Sequence, residues 1–210
     1  MISRAEQEQV VKSISDGNKK QRCDWVPADI QIYADYHDTE WGVPQRDDIK
    51  LFEFLVLEGF QAGLSWLTVL KKRENFRETF GNFDPHYVAS MTDQDVERIM
   101  QNGGIIRNRS KIRAAISNAR CFIRIQKEYG TFSEFVWQFA GGKPLVHSFM
   151  NSREIPAFTE GSDRMSLSLR KMGFGFVGST ICYSYMQAVG MVNDHTVFCY
   201  RRSEIISSYS

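Results

Sequence analysis

The chain has 210 residues, of which 42% are hydrophobic and 24% charged, and its formal net charge at pH 7 is +1. This length and composition are typical of one ordinary globular domain, or two small ones, with a real hydrophobic core. The small net charge gives no general argument for a polyanionic partner, although basic residues can still cluster locally. The four cysteines are too few for a disulfide framework in a chain this long.

The first twenty residues are polar and contain no apolar segment, so no secretion signal is predicted. No apolar run approaches the roughly 18–20 residues that a bilayer-spanning helix needs. We therefore expect a cytoplasmic protein without a membrane partner. In that reducing compartment, paired cysteines indicate a metal site more often than a disulfide.

Apolar residues at helical spacing predict an all-α fold. After a polar, weakly periodic stretch at 3–17, helices are expected over 47–58, 64–72, 93–100, 109–127, 132–139, 163–171 and 177–189. Thr92 and Asp95 have the spacing of a helix N-cap with an acidic third residue. No segment alternates at period two for long enough to predict a sheet, and 141–162 is interpreted as a long connection.

Two cysteines and two histidines lie near the two ends of the chain: Cys23, His37, His195 and Cys199. His195 and Cys199 are four residues apart, so on a helix both would share one face. Thiolate and imidazole are preferred zinc ligands, and four of them close a structural site. Such a site would join the N- and C-terminal segments. The alternative is that these are ordinary buried cysteines and surface histidines.

Glu58 follows the apolar stripe of Leu51, Phe54 and Leu55 at a position where a core residue is expected. A carboxylate that faces inward beside Trp66 is costly unless it has a donor to bind, and a cationic or protonated base is such a donor. Tyr33 and Tyr36 lie just before His37 and Trp41 just after it, and such aromatic rings near a carboxylate could stack on a planar cation. Alternatively, the helix ends at Leu57, Glu58 points to water and the aromatic residues belong to the core.

A glycine-rich turn, residues 103–108, separates two predicted helices. Free backbone amides at the start of the second helix can bind an anion. Arg107, Arg109, Lys111 and Arg113 surround that helix start, where cations oppose the helix dipole, so a DNA phosphate would account for them. The alternative is a helical hairpin with a solvated basic face.

Taken together, these segments resemble the DNA-3-methyladenine glycosylase I family. The matching blocks lie between about residues 21 and 200: 22–26 (RCDWV), 36–44 (YHDTEWGVP), 57–74 (LEGFQAGLSWLTVLKKRE), 104–112 (GIIRNRSKI), 175–187 (GFVGSTICYSYMQ) and 192–195 (VNDH). Several long blocks in the right order are far more specific than a single motif. The expected domains are an N-terminal extension (1–20), a glycosylase domain (21–202) and a C-terminal tail (203–210).

The resemblance implies a helix-hairpin-helix glycosylase that flips 3-methyladenine out of double-stranded alkylated DNA and hydrolyses its glycosidic bond as a monomer. It implies structural zinc at the four Cys and His residues, and a base pocket in which Glu58 hydrogen-bonds the flipped base. Around Glu58, the resemblance places Tyr33, Tyr36, Gln61 and Trp66. DNA backbone contacts are expected at Gly103, Gly104, Ile105, Ile106, Arg107, Arg109 and Lys111.

Three further expectations concern the chemistry. Residues 175–187 contain no Asp or Glu, which fits an enzyme that relies on the instability of its substrate. Asp194 is expected to orient the neighbouring zinc ligand, and no lysine is expected to act as a lyase nucleophile. Two rivals remain open: a zinc hydrolase, which four protein ligands argue against, and a DNA-binding module that recognises damage without cutting.

Overall fold

The computed structural model describes residues 20–209, and the helix expected within 3–17 lies outside them. The helices are α1 (Gln31–Thr39), α2 (Asp48–Gln61), α3 (Trp66–Leu70), α4 (Arg73–Thr79), α5 (Pro85–Ser90), α6 (Asp93–Gln101), α7 (Arg109–Tyr129), α8 (Phe132–Trp137), α9 (Glu160–Lys171), α10 (Ser179–Ala188) and α11 (Tyr200–Ser208). Short 3-10 turns lie at Gly81–Phe83, Gln138–Ala140 and Ser152–Glu154. The described chain is therefore mostly helical, as predicted.

Helix α2 is the centre of the core. Every residue from Leu51 to Phe60 is buried, so the helix is enclosed on all sides rather than along one stripe. Its start is fixed by the Asp47 carboxylate, which accepts a hydrogen bond from the Lys50 amide at 2.9 Å. Helices α3, α7, α8 and α10 pack around it. Side chains at its C-terminal end can therefore be held away from water.

The α6–turn–α7 segment has the predicted form. Thr92 and Asp95 make a capping box at the start of α6. The Asn108 side chain caps α7 by accepting a hydrogen bond from the Lys111 amide at 3.1 Å. Helix α7 buries Ile112, with its predicted apolar face, against the core. The glycine-rich turn between the two helices is thereby held at the surface.

Four described helices were not predicted: α1 and α11 are polar on average, and α4 and α5 are no more than two turns long. The predicted helix at 64–72 forms only from Trp66 to Leu70, because Ser65 caps its start by accepting from the Thr68 amide. A parallel pair of two-residue strands, β1 (Leu145–Val146) and β2 (Val192–Asn193), was also missed.

His195 and Cys199 do not share a helix, so that expectation is wrong. The segment between them is a turn, and Cys199 is the residue immediately before α11. Helix α11 extends past the predicted domain boundary at 202 and buries Ile205. Among residues 20–209, no helix combines the length and apolar character that crossing a bilayer requires.

Candidate active site and metal centre

A cavity of about 280 Å³ lies between α1, α2, α3 and α10. It is lined by Trp25, Tyr33, Tyr36, Trp41, Glu58, Gln61, Trp66, Ser152, Ile155, Ser184 and Gln187. All of the residues predicted to bind or act on the base therefore face one space. Its size and mixed aromatic and polar lining suit a small planar ligand.

Glu58 is the most unusual residue of this cavity. Helix α2 continues past Leu57 to Gln61, so the alternative in which Glu58 ends the helix and points to water is wrong. The Glu58 side chain is buried, and no described residue donates a hydrogen bond to it. Burial raises the pKa of Glu58 to about 8. In the free protein this carboxyl group therefore lacks the positive partner that a buried carboxylate needs.

Aromatic rings form the walls beside Glu58. The Tyr36 and Trp66 rings lie 5.3 Å apart between centroids, at an interplanar angle of 51°. Burial, and next the nearby Glu58, raise the pKa of Tyr36 well above its ordinary value, so its hydroxyl stays protonated. The buried indole Nε1 of Trp66 has no hydrogen-bond partner in the described chain. The walls thus present aromatic faces and an unused donor.

The four predicted metal ligands converge on one buried point. The ligand atoms of Cys23, His37, His195 and Cys199 all lie within 4.8 Å of one another. Cys199 Sγ is 3.4 Å from His37 Nε2 and 3.3 Å from His195 Nδ1. The Cys23 Sγ is 3.5 Å from His195 Nδ1. These residues form a group that could hold a metal ion and join the two ends of the described chain.

Both imidazoles are oriented from outside the cluster. His195 Nε2 lies 3.0 Å from the carbonyl oxygen of Trp41, and His37 Nδ1 lies 2.8 Å from an Asp38 carboxylate oxygen. Each acceptor fixes the ring proton on the outer nitrogen and leaves the inner nitrogen free to bind a metal.

Asp194 does not orient a ligand, so that expectation is wrong. Its carboxylate is instead bonded to His147, Tyr183 and Gln187. The residues that do fill the orienting role are Asp38 and, through its backbone, Trp41.

Two tryptophans contact the histidines of the Cys/His group and also line the cavity. The Trp25 ring lies 5.4 Å from the His37 ring, and the Trp41 ring lies 4.6 Å from the His195 ring, between centroids. Both tryptophans also line the cavity. Anything that fixes the two histidines therefore also fixes one wall of the cavity.

The hairpin turn presents backbone rather than side chains. Ile105 is buried, and the carbonyl oxygens of Gly103 and Gly104 both lie within hydrogen-bond distance of Lys72 Nζ. The amides of Ile105, Ile106 and Arg107 donate no hydrogen bond within the described residues. Free amides at a surface turn suit an anion.

The basic residues beside the hairpin are not equivalent. Arg107 is exposed and makes no ion pair with any described residue, whereas Arg109 is paired with Glu97. Lys111 is buried, and its ammonium group donates to the carbonyl oxygens of Phe60 and Ala62 at 2.9 and 2.6 Å. The expectation that the Lys111 side chain faces a phosphate is therefore wrong, because it closes the C-terminal end of α2.

A family model described as methyladenine glycosylase matches residues 25–202. The chain belongs to this family. It is 54% identical to DNA-3-methyladenine glycosylase 1 of Escherichia coli K12 over 179 residues, which cover 85% of this chain and 95% of that protein.

Two further relatives extend the likeness. The chain is 49% identical to the DNA-3-methyladenine glycosylase of Haemophilus influenzae, over 85% of this chain and 96% of that protein. A solved structure of 3-methyladenine DNA glycosylase I from Staphylococcus aureus superimposes on this chain with a TM-score of 0.84, and it describes the structural basis of 3-methyladenine recognition by that protein. That match is 34% identical and covers 88% of this chain and 98% of the other.

Several residues that line the cavity were not predicted from the sequence. Trp25 and Gln187 lie inside the blocks that carried the family resemblance, so their positions offered a signal. Ser152 and Ile155 come from the segment interpreted as a connection, and nothing in its pattern distinguishes them. The Ser152 amide and hydroxyl both donate to the Asp24 carboxylate, which holds this segment against the cavity.

Proposed function

We propose that this protein is a monofunctional DNA glycosylase that flips 3-methyladenine from alkylated duplex DNA and hydrolyses its glycosidic bond, which begins base excision repair. The observation that carries the proposal is Glu58, a buried carboxyl group without a hydrogen-bond donor in a cavity walled by aromatic rings. Recognition of 3-methyladenine by the Staphylococcus aureus relative supports it.

The positive charge of the lesion supplies the partner that the Glu58 carboxylate lacks. Alkylation at N3 makes the purine cationic, and a cationic base beside Glu58 favours the ionised carboxylate, which then accepts its N–H donors. The faces of Tyr36 and Trp66 attract the same cation. Undamaged adenine has no such charge and therefore gains less from entering. The cost of flipping, a few kcal/mol, is lowest for damaged bases.

Hydrolysis breaks the bond between the sugar C1′ and the base nitrogen. The electron pair leaves with the base, which becomes neutral, and a water oxygen bonds to C1′ and releases a proton. Because the departing base is already cationic, no strong general acid is required. Among the described residues that line the cavity, Glu58 is the only carboxylic acid and none is a lysine. This lining supports hydrolysis without a lyase step.

The metal in the Cys23, His37, His195 and Cys199 cluster is proposed to be structural zinc. Tetrahedral zinc with Zn–S near ~2.3 Å and Zn–N near ~2.0 Å separates sulfur from nitrogen by about 3.5 Å. The three sulfur–nitrogen distances of 3.3–3.5 Å fit that geometry. Four protein ligands leave no open position for water, so zinc would hold the chain ends rather than act on substrate.

The hairpin is proposed to hold the DNA backbone. Phosphate oxygens would accept from the free amides of Ile105, Ile106 and Arg107, with Gly103 and Gly104 permitting close approach. The exposed Arg107 guanidinium would add a charge-assisted contact, and Arg109 a second one if it leaves Glu97. Lys111 is not included, because its ammonium group is already bound inside the fold.

Two further proposals concern where and how the enzyme works. As a repair enzyme, it would act in the cytoplasm on chromosomal DNA, and the four described cysteines, which form no disulfide, are compatible with a reducing compartment. It is proposed to act as a monomer. Sedimentation of the protein with and without duplex DNA tests the monomer prediction, and a stable dimer in both states would contradict it.

The experiment that tests the function is chromatography of the bases released from methylated duplex DNA by folded, metal-loaded protein. Free 3-methyladenine should appear, while the DNA strand stays intact until it is treated with alkali. Tight binding without base release would identify a damage-binding module instead. Strand cleavage together with base release would contradict the monofunctional mechanism.

A further inference from the structure

Asp194 and Gln187 form a hydrogen-bonded arrangement that the proposed mechanism does not use. Asp194 is 1% exposed, and its carboxylate accepts hydrogen bonds from three side chains. Tyr183 Oη and Gln187 Nε2 lie 2.6 and 2.8 Å from Oδ2, and His147 Nδ1 lies 2.6 Å from Oδ1. Tyr183 and Gln187 both belong to α10, whereas His147 follows β1. The carboxylate thus fixes these side chains against one another.

This arrangement determines which way the Gln187 amide faces. A carboxylate only accepts hydrogen bonds, so the NH₂ end of Gln187 must face Asp194. The backbone on either side is also held, because the Gln187 carbonyl accepts from the Gly42 and Gly190 amides at 3.0 and 3.2 Å. The remaining end of the amide, Oε1, accepts no hydrogen bond from any described residue, and the side chain lines the base cavity.

We propose that Gln187 is a specificity-determining residue whose Oε1 accepts a hydrogen bond from the amino edge of the flipped base, and that Asp194 is the positioning residue that holds it in this orientation. The proposal rests on the proposed glycosylase function. Adenine carries an N6 amino donor at the edge where guanine carries the O6 acceptor. Two acceptors in one cavity, Glu58 and Gln187, therefore favour 3-methyladenine and repel the O6 of 3-methylguanine.

The Asp194 interaction matters because an unconstrained glutamine does not discriminate. A free amide can rotate and present either its oxygen or its NH₂ group, so it would accept from adenine or donate to guanine. With the NH₂ group bound at 2.8 Å, only the oxygen remains for the ligand. A site built to accept a hydrogen bond rejects an analogue that lacks the donor, because its own polar group is then left unpaired.

The test measures both products in a single reaction. Methylated duplex DNA contains 3-methyladenine and 3-methylguanine, and the release rate of each is followed with enzyme in excess over lesions. The ratio of the two rates is independent of the amount of active protein. The variants are Gln187→Met, which removes the acceptor at similar length, and Asp194→Ala, which frees the amide. Gln94→Met makes the same chemical change at an exposed position on α6.

We expect the ratio of 3-methyladenine to 3-methylguanine release to fall about tenfold in Gln187→Met and in Asp194→Ala, and to stay unchanged in Gln94→Met. An unchanged ratio in Gln187→Met, whatever the absolute rates, overturns the proposal. An unchanged ratio in folded Asp194→Ala overturns the positioning role of Asp194, and if that variant does not fold, Gln187→Met alone decides. If the wild-type protein releases neither base, the proposed function itself fails.

Discussion

Two glutamates on the same helix, Glu53 and Glu58, are both buried and differ in their partners. Glu53 is 2% exposed, and its carboxylate oxygens lie 2.8–3.0 Å from the cationic groups of Arg73, Arg77 and Lys50. Glu58 is 4% exposed and has no such partner among the described residues. The first carboxylate joins α2 to α4, and the second faces an open cavity.

The pKa values of the two groups follow from this difference. Burial alone would raise the pKa of Glu53, but Arg73 and the other cations lower it below its ordinary value. Burial without such partners raises the pKa of Glu58 to about 8. A buried charge that is fully partnered contributes to the fold, whereas one left without a partner indicates a ligand that supplies it.

Loss of the metal site should have the largest effect, because unfolding removes the difference between the two glutamates. Cys199→Ser is expected to lose the proposed zinc ion and most of the folded state, because a structural zinc ion binds with an apparent free energy of about 10 kcal/mol. The Glu58 cavity would lose the wall that Trp25 and Trp41 share with the metal cluster. Metal analysis and thermal unfolding measure this. Cys182→Ser, at a buried cysteine outside the cluster, is the control and should retain the metal.

Glu53→Gln should remove the ion pairs of the partnered glutamate. It leaves buried Arg73 with only Glu40 as an anionic partner in the described chain, so we expect the free energy of unfolding to fall by about 3 kcal/mol at pH 7. Because the folded pKa of Glu53 is lowered, this loss should shrink as the pH falls through that pKa. Urea unfolding at several pH values measures it. Equal stability of the variant and the wild type at pH 7 would contradict a structural role.

Glu58→Gln should raise the free energy of unfolding, whereas Glu53→Gln should lower it. The folded pKa of Glu58 is about 8 and the ordinary value 4.5, so between these values the folded state binds the extra proton. Its contribution therefore makes stability fall as pH rises, by up to about 1.4 kcal/mol per pH unit. Glutamine does not ionise, so the stability of the variant relative to the wild type should increase from pH 5 to 8 in the same urea experiment. A pH-independent difference would contradict the raised pKa.

Arg107→Ala should separate backbone binding from base recognition, with the smallest effect. We expect weaker duplex binding and a slope of log affinity against log salt that is smaller by about 1. Affinity for free 3-methyladenine should not change. Arg164→Ala, which removes an exposed cation from α9, is the matched control. Equal effects of the two substitutions on the salt slope would show that Arg107 makes no phosphate contact.

The sequence predicted which residues form the site better than it predicted the local backbone conformation. The apolar stripe gave burial of Glu58 as one of two interpretations, and the family resemblance favoured it together with a single group of the four Cys and His residues. The spacing of His195 and Cys199 permits a helix but also the turn that is found, because spacing alone does not report backbone conformation.

Long-range contacts account for the other errors. Lys111 looked like a phosphate ligand, and only the fold brings the carbonyl of Phe60 to its ammonium group. Asp194 looked like a partner of His195 because the two are adjacent in sequence, but its carboxylate turns to Tyr183 and Gln187 instead. Side-chain direction in a turn is set by tertiary packing, which periodicity does not carry.

The most direct test of the central claim is the rate of 3-methyladenine release by the wild-type protein and by Glu58→Gln, with enzyme in excess over lesions. If the unpartnered carboxylate receives the cationic base, the folded, metal-loaded variant should release it about 10- to 100-fold more slowly, since a charge-assisted hydrogen bond contributes roughly 1.5–3 kcal/mol. An equal rate in both proteins would contradict the proposed role of Glu58.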